Sequence, residues 1–510
     1  MKQNVNALPP EGGAKPAPMP PQTAGKHYDV TDRDRRLLLG TAAFCVLLAH
    51  TFLWCGPGAG LTAAVFAWYV LVLASVGTAP LAARSNRVLL VVNLLLAATF
   101  ALGSNRFFRV WNCLALLVLL PVHALALSGA GRLPWHRPAM LWERLCLLLI
   151  GLFGNLGAGP AALCAGRERR DGRRILAAAL GLGGAVVLVC VLLPVLAWAD
   201  ALFAAVTETL RTWIWDHLPT GVWQMGLGLA MTPFFFSFLY ALRRPEPLKT
   251  AWKESSPTLD PLPPAIVLGA LDGLYLLFLG VQSAGLFGGP EYLARRGISY
   301  AEWARSGFFQ MVGITVLNLT VMLAALSLCR REGALWRTVR VLAGLLTAES
   351  LVLLASAAWR MTLYVSAYGL SFRRCLTYWG MGMMALLFLT ALGKILRPDF
   401  GFCRRAFPLV LAGWLALNCV PVDCLTARDQ VDRYLSGRSE TVDMGYLLYG
   451  LSYDTLSQLE RLDGLEVFRA GGRALTLSRF LEERREAARR DCGDWRTWSL
   501  SACLAAGKRP

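Results

Sequence analysis

The sequence predicts an all-α integral membrane protein of about eleven transmembrane helices with a small extracytoplasmic helical C-terminal domain. Three observations carry this. Of 510 residues, 55% are hydrophobic and only 16% charged, against about 25% charged in soluble domains. The mean hydropathy is +0.47. Apolar runs of near-bilayer length recur between polar, arginine-rich loops, as a hydrocarbon core of about 30 Å requires when every backbone group must bond inside a helix.

The elements follow in order. Residues 1–36 form a cytoplasmic tail; its first 26 residues hold six prolines and almost nothing that could build a core, so it is expected to be disordered. No apolar run precedes Leu37, so the first run is expected to be a membrane anchor and not a cleaved signal peptide. A four-helix membrane region over 37–130 comprises Leu37–Cys55, Ala59–Ala82, Val88–Gly103 and Val110–Leu127. A basic cytoplasmic or re-entrant segment spans 131–174. A seven-helix region over 175–420 comprises Ile175–Trp198, Val222–Leu242, Pro263–Phe287, Gly307–Cys329, Trp336–Ala358, Cys375–Leu396 and Ala406–Val420. Residues 421–510 are polar and read as short helices at Ala427–Leu435, Asp443–Tyr449, Tyr453–Leu462 and Ser478–Arg490, with Ser452 as an N-cap.

Charge orients the spans. The net charge is +18, and all of the excess lies in residues 1–420, which hold 37 basic and 19 acidic residues; residues 421–510 hold 14 of each. With eleven spans and a cytoplasmic N-terminus, 28 of the 37 basic residues fall inside and nine outside. If Leu141–Leu163 also crossed, the split would be 18 to 19 and the positive-inside bias would vanish. That stretch carries Glu143, Arg144, Asn155, glycines at 151, 154 and 157, and Pro160, which suits a helix that lies in the interface or re-enters. Basic loops of this kind explain the charge without nucleic-acid binding; the bilayer is the expected partner. Tryptophans 54, 68, 198, 213 and 215 fit an interfacial belt.

Thirteen cysteines include no C-x-x-C pair, so neither a metal nor a cofactor is expected. Among those placed outside, Cys492 and Cys503 either close a terminal disulfide loop or remain thiols with Cys424. His50 and His123 lie singly in spans and read as satisfied interior histidines.

Intramembrane carboxyls are costly and therefore informative. Asp272 and Glu349 are the deepest in their spans. Glu349, Ser356 and Arg360 share a helix face at 100° per residue, Arg360 falling about 20° from Glu349, and Tyr364 extends that face. With Tyr275, Gln282 and Ser283 beside Asp272, and Gln310, Thr315 and Asn318 from the span between, these residues predict a polar cluster. A packing role ranks ahead of a substrate or proton path.

Two stretches resemble a known family. Tyr300–Phe309 and Ser356–Tyr364, the latter followed by Tyr368-Gly369-Leu370, resemble two signatures of a bacterial polytopic membrane protein family catalogued only as a domain of unknown function; Ser371 stands where that family usually has Thr. Fainter matches are Ala199-Asp200, Asp443–Leu447 and Asp494-Trp495-Arg496, so that the resemblance covers roughly 175–500. It implies a bacterial cell-membrane protein and no particular activity, and it points to Arg305, Arg360 and Tyr364.

No catalytic motif is present. The leading expectation is a non-enzymatic structural, sensory or assembly component whose outer domain meets a protein partner. One alternative is a secondary transporter using Asp272 and Glu349. The other is a transferase acting on a lipid-linked substrate at the outer face, with Arg305, Arg360, Tyr364 and Asp200 or Glu302 as its groups.

Overall fold

A computed structural model describes residues 28–52, 56–131, 133, 139–163, 181, 184–185, 188–189, 191–217, 219–244, 259–286, 308–397, 399–462, 466–468 and 474–507. The proline-rich tail, the arginines at 167–174, Arg305 with most of its signature, and about half of the span expected over 175–198 lie outside them. The chain is an all-α membrane protein. Among the described residues eight helices are long and apolar enough to cross a bilayer, and a ninth span arises if one pair bent by 50° is counted together.

Those eight coincide with expected spans. They are α1 (Asp32–Phe52), α2 (Ala59–Val76), α3 (Arg84–Leu102), α4 (Arg106–Ser128), α8 (Thr220–Arg243), α9 (Leu262–Leu286), α11 (Gly333–Tyr368) and α12 (Phe372–Leu396). Between them fall α5 (Ala139–Gly154), α6 (Ala158–Leu163), α7 (Ala201–His217) and α10 (Phe308–Leu328). The bent pair is α13 (Phe402–Cys419) with α14 (Val422–Leu435). Local chemistry sets several boundaries. Asn105 accepts from the Phe108 amide at 3.0 Å to open α4, and Gly129, at φ +68°, closes it in a conformation costly for other residues.

Successive helices run in alternate directions. At one end, the base, Asp34 of α1 pairs with Arg243 at the end of α8, and Arg33 donates to the Ala74 carbonyl at the end of α2. Arg340 near the start of α11 donates to the Ile395 carbonyl near the end of α12. At the other end, the crown, the start of α2 and the α3–α4 and α11–α12 turns meet residues beyond 420.

The α5–α6 segment stays at the base. The Leu133 amide bonds to Glu143, and at the far end of α5 the Asn155 amide donates to Ser237 Oγ at 3.1 Å, six residues before the end of α8. Ser237 Oγ in turn donates to the Gly151 carbonyl at 2.6 Å. A Cβ on Gly151 would lie 2.7 Å from the Phe238 ring, and one on Gly157 2.7 Å from Tyr28, so these glycines permit the close approach.

Among the described residues the membrane helices build two large apolar cores and a smaller cluster of Leu354, Ala357, Met361 and Met381. The first joins α1–α6 with α8. Sequence reasoning grouped α8 with the later spans; it packs instead against α1. Trp68 is also not interfacial. It is 5% exposed and stacks on Phe238 at 6.1 Å, with Phe44 and Phe235 around it. By contrast Trp198 is 91% exposed. The second core joins α9–α12 around Leu268, Met322, Leu346 and Phe388. Helix α11 continues ten residues past the expected Ala358 and, at 36 residues, is roughly 54 Å long.

Helix α13 links the two. Trp379 of α12 donates to the Gly413 carbonyl at 2.9 Å, Trp414 donates to Asn112 Oδ1 at 2.7 Å, and Asn112 donates to Asn418 Oδ1 at 2.8 Å.

Beyond α13, residues to 507 form a layer across the crown. Its core gathers Val431, Leu447, Leu456, Leu459, Leu477 and Phe480. Helix α14 leads into a π-helical turn at Tyr446–Gly450 and short helical turns over 453–462. A two-stranded antiparallel hairpin, β1 (Glu466–Phe468) and β2 (Ala474–Thr476), precedes α15 (Leu477–Gly493) and α16 (Leu500–Ala505). The hairpin and α16 were not expected; three-residue strands carry too little alternation to be read. Ser452 does not cap with its side chain, which instead donates to Asp454. Cys492 and Cys503 are joined by a disulfide. Tyr453 donates to Asp491 at 2.8 Å, and burial with that neighbouring carboxylate pushes its hydroxyl up to about 12.

Cys403 and Cys419 are both exposed, at opposite ends of α13. With a cytoplasmic base, an impermeant maleimide added to intact cells labels chains whose only free thiol is Cys419 and spares those with only Cys403. The reverse pattern inverts the orientation.

Candidate functional site

The second bundle holds the polar cluster. Helix α9 contributes Asp272 and Tyr275, α10 contributes Asn318, and α11 contributes Thr347, Glu349 and Ser350. The i, i+3 spacings of Asp272 with Tyr275 and of Thr347 with Ser350 put each pair on one helix face. Tyr275 donates to Asn318 Oδ1 at 2.8 Å, and Asn318 Nδ2 donates to Ser350 Oγ at 2.9 Å. One amide side chain thus ties three helices together. Thr347 donates to the Ala343 carbonyl and lies 3.1 Å from Met322 Sδ.

Asp272 and Glu349 are neighbours across α9 and α11 and are 2% and 3% exposed. Among the described residues, no N–H or O–H of another side chain or of the backbone reaches any of their four oxygens. Ionised carboxylates only accept hydrogen bonds, so a hydrogen bond between these two would need a proton on one of them. Protonated on one side, such a pair could hold or exchange a proton.

Other expected members stand apart. Ser356 and Arg360 are buried, with relative exposures of 0% and 9%, but Arg360 follows Glu349 by eleven residues and so lies about 16 Å farther along the helix. Glu349 and Arg360 share an azimuth on α11, yet axial distance separates the guanidinium from the carboxyl pair. Tyr364 lies beneath the Arg374 guanidinium at 4.2 Å and beside Tyr368, in the α11–α12 corner. Arg305, and the side chains of Gln282, Ser283 and Gln310, lie outside what is described.

Sequence reasoning missed Ser350 and Thr347, small polar residues that look unremarkable until Asn318 is seen to need an acceptor. The histidines are engaged: His50 Nδ1 meets Gln224 at 2.6 Å, and His123 Nδ1 meets the Tyr69 hydroxyl at 2.8 Å, which also accepts from Asn93. Among the described residues no three His, Cys, Asp or Glu side chains gather as a metal would need.

Residues 90–462 match a family model described as a domain of unknown function, DUF4153. The chain belongs to this family. The DUF4153 region runs from within α3 to the turns before the hairpin. It contains the carboxyl pair, the whole second bundle and α14, whereas α1, α2, α15, α16 and the disulfide fall outside it. No curated protein and no solved structure matches the chain.

Replacing Asn318 by Leu leaves the Tyr275 hydroxyl and Ser350 without their partner and should cost about 1–3 kcal/mol, seen as a lowered melting temperature of the purified protein. Asp272→Leu alone should cost a similar amount, because it strands Glu349. The double change Asp272→Leu with Glu349→Leu removes both partners and should come out nearly neutral. A double variant less stable than the sum of the singles would contradict this pairing.

Proposed function

We propose that this DUF4153 protein is a non-enzymatic component of the bacterial cell membrane, sensory or structural, whose crown layer meets a protein partner outside the cell. The supporting observation is how that layer is tied to both bundles. On the second bundle, Asp429 accepts from the Leu370 amide at 2.6 Å, Gln430 donates to the Leu370 carbonyl at 2.7 Å, and Arg433 donates to the Val365 and Ser366 carbonyls. On the first, the Ala59 amide donates to the Trp498 carbonyl at 2.9 Å, and Ser104 Oγ bonds Ser501 Oγ at 2.8 Å. Asn105 donates to Asp423 at 2.7 Å. A partner that shifts this layer would load the membrane helices of both bundles at once. The basic loops favour a cytoplasmic base.

The Asp272–Glu349 pair favours a second reading, proton-linked secondary transport. Against it stands the near-complete burial of Glu349, since transport needs water to reach the site in turn from each side.

Two variants separate these readings in cells lacking their own copy. A chain ending at Val420 should insert at a normal level yet fail to restore the wild-type phenotype, whereas Glu349→Gln should restore it. Full rescue by the truncated chain would refute the first reading; loss with Glu349→Gln at unchanged protein level would establish the second.

A further inference from the structure

The start of α2 exposes a need that one distant loop meets. The first amides of a helix have no acceptor within it. Here the Ala59 amide donates to the Trp498 carbonyl at 2.9 Å and the Gly60 amide to the Arg496 carbonyl at 3.2 Å. Both carbonyls lie in the loop between Cys492, in the last turn of α15, and Cys503, in α16, which the disulfide closes. The seat is tight. A Cβ on Gly58 would lie 2.5 Å from the Thr497 carbonyl carbon, and one on Gly60 3.0 Å from Arg496 Cα. Trp495 stands beside the His50 ring of α1 at 6.1 Å. Ser501 Oγ donates to Asp454 at 2.5 Å and so accepts from Ser104 Oγ, in the α3–α4 turn.

These contacts of the loop with the membrane part all go to the first bundle. The second bundle is held by a different segment, α14, through Asp429, Gln430 and Arg433. The shape of the loop is set internally: Asp494 accepts from both Nε and Nη2 of Arg496, Thr497 donates to the Asp491 carbonyl, and Ser499 caps α16. The disulfide closes a ring of only twelve residues around that arrangement. Cys503 is buried and Cys492 half-buried, so an incoming thiol meets Cys492 first.

We propose that the Cys492–Cys503 bond is a redox-sensitive latch that fastens the crown layer to the first bundle and leaves its hold on the second untouched. The reductant is a dithiol on the crown side. Its thiolate attacks Cys492 Sγ and the Cys503 thiolate leaves and takes a proton. The second thiol of the reductant then displaces Cys492, which is protonated in turn, while the reductant leaves as its own disulfide. The open loop gains conformational freedom that the ring denies it, and the Ala59 and Gly60 amides lose their acceptors. The inference rests on the reading of the crown as the layer that receives a signal, and names thiol–disulfide exchange as that signal.

The test is hydrogen exchange on the purified full-length protein, with and without dithiothreitol, reduction being verified by the mass of the alkylated chain. Amides over 56–62 should exchange about a hundredfold faster after reduction, while the Leu370 amide, held by Asp429, should not change. The double variant Cys492→Ser with Cys503→Ser should exchange fast over 56–62 with or without the reductant. Gly58→Val keeps the disulfide and should expose the same amides by unseating the loop, so it shows that the readout follows the loop. Unchanged exchange over 56–62 in fully reduced chains would overturn the latch, as would release that spreads to Leu370, which marks a brace for the whole layer. Neither result bears on rescue by the chain ending at Val420, so the latch and the reading it rests on fail separately.

Discussion

The join between the two bundles is the constraint on which the architecture depends. Each bundle has its own apolar core, and in hydrocarbon there is no hydrophobic gain from pressing two such surfaces together. Beside the aromatic packing of Phe107 and Phe108 on Phe372 and Trp414, the contacts that fix their register are polar. Asn112 takes the Trp414 indole N–H and gives its own amide to Asn418 within the membrane; at the crown, backbone carbonyls of the α11–α12 corner and backbone amides at the start of α2 are tied to one layer. Such bonds are directional, so they specify one relative placement where apolar packing would accept several.

The carboxyl pair follows the same logic on a smaller scale. Asn318 satisfies Tyr275 and Ser350 at once, which leaves Asp272 and Glu349 with each other. That arrangement is chemically complete only with a shared proton, so it ties the local charge of the second bundle to its packing.

Much of the membrane part was legible because hydropathy is a one-dimensional property: a run of apolar residues announces a span wherever its partners are. What failed required knowledge of neighbours. Trp68 has the composition of a belt residue and is held in the core by Phe238 and Phe44. Helix α8 is contiguous with the later spans yet packs on α1. Arg360 shares an azimuth with Glu349 but not a depth. The β1–β2 hairpin is shorter than any period it could display.

Helix α11 is unbroken from Gly333 at the base to Tyr368 at the crown, with Glu349 near its midpoint and Val365 and Ser366 gripped by Arg433. A single α-helix is stiff along its axis because each of its turns is braced by the next. It behaves as a pushrod. If a load reached its crown end, this one stiff element would carry it to the depth of Glu349, so the grip of Arg433 on Val365 and Ser366 and the carboxyl pair with Asp272 stand on a single axis.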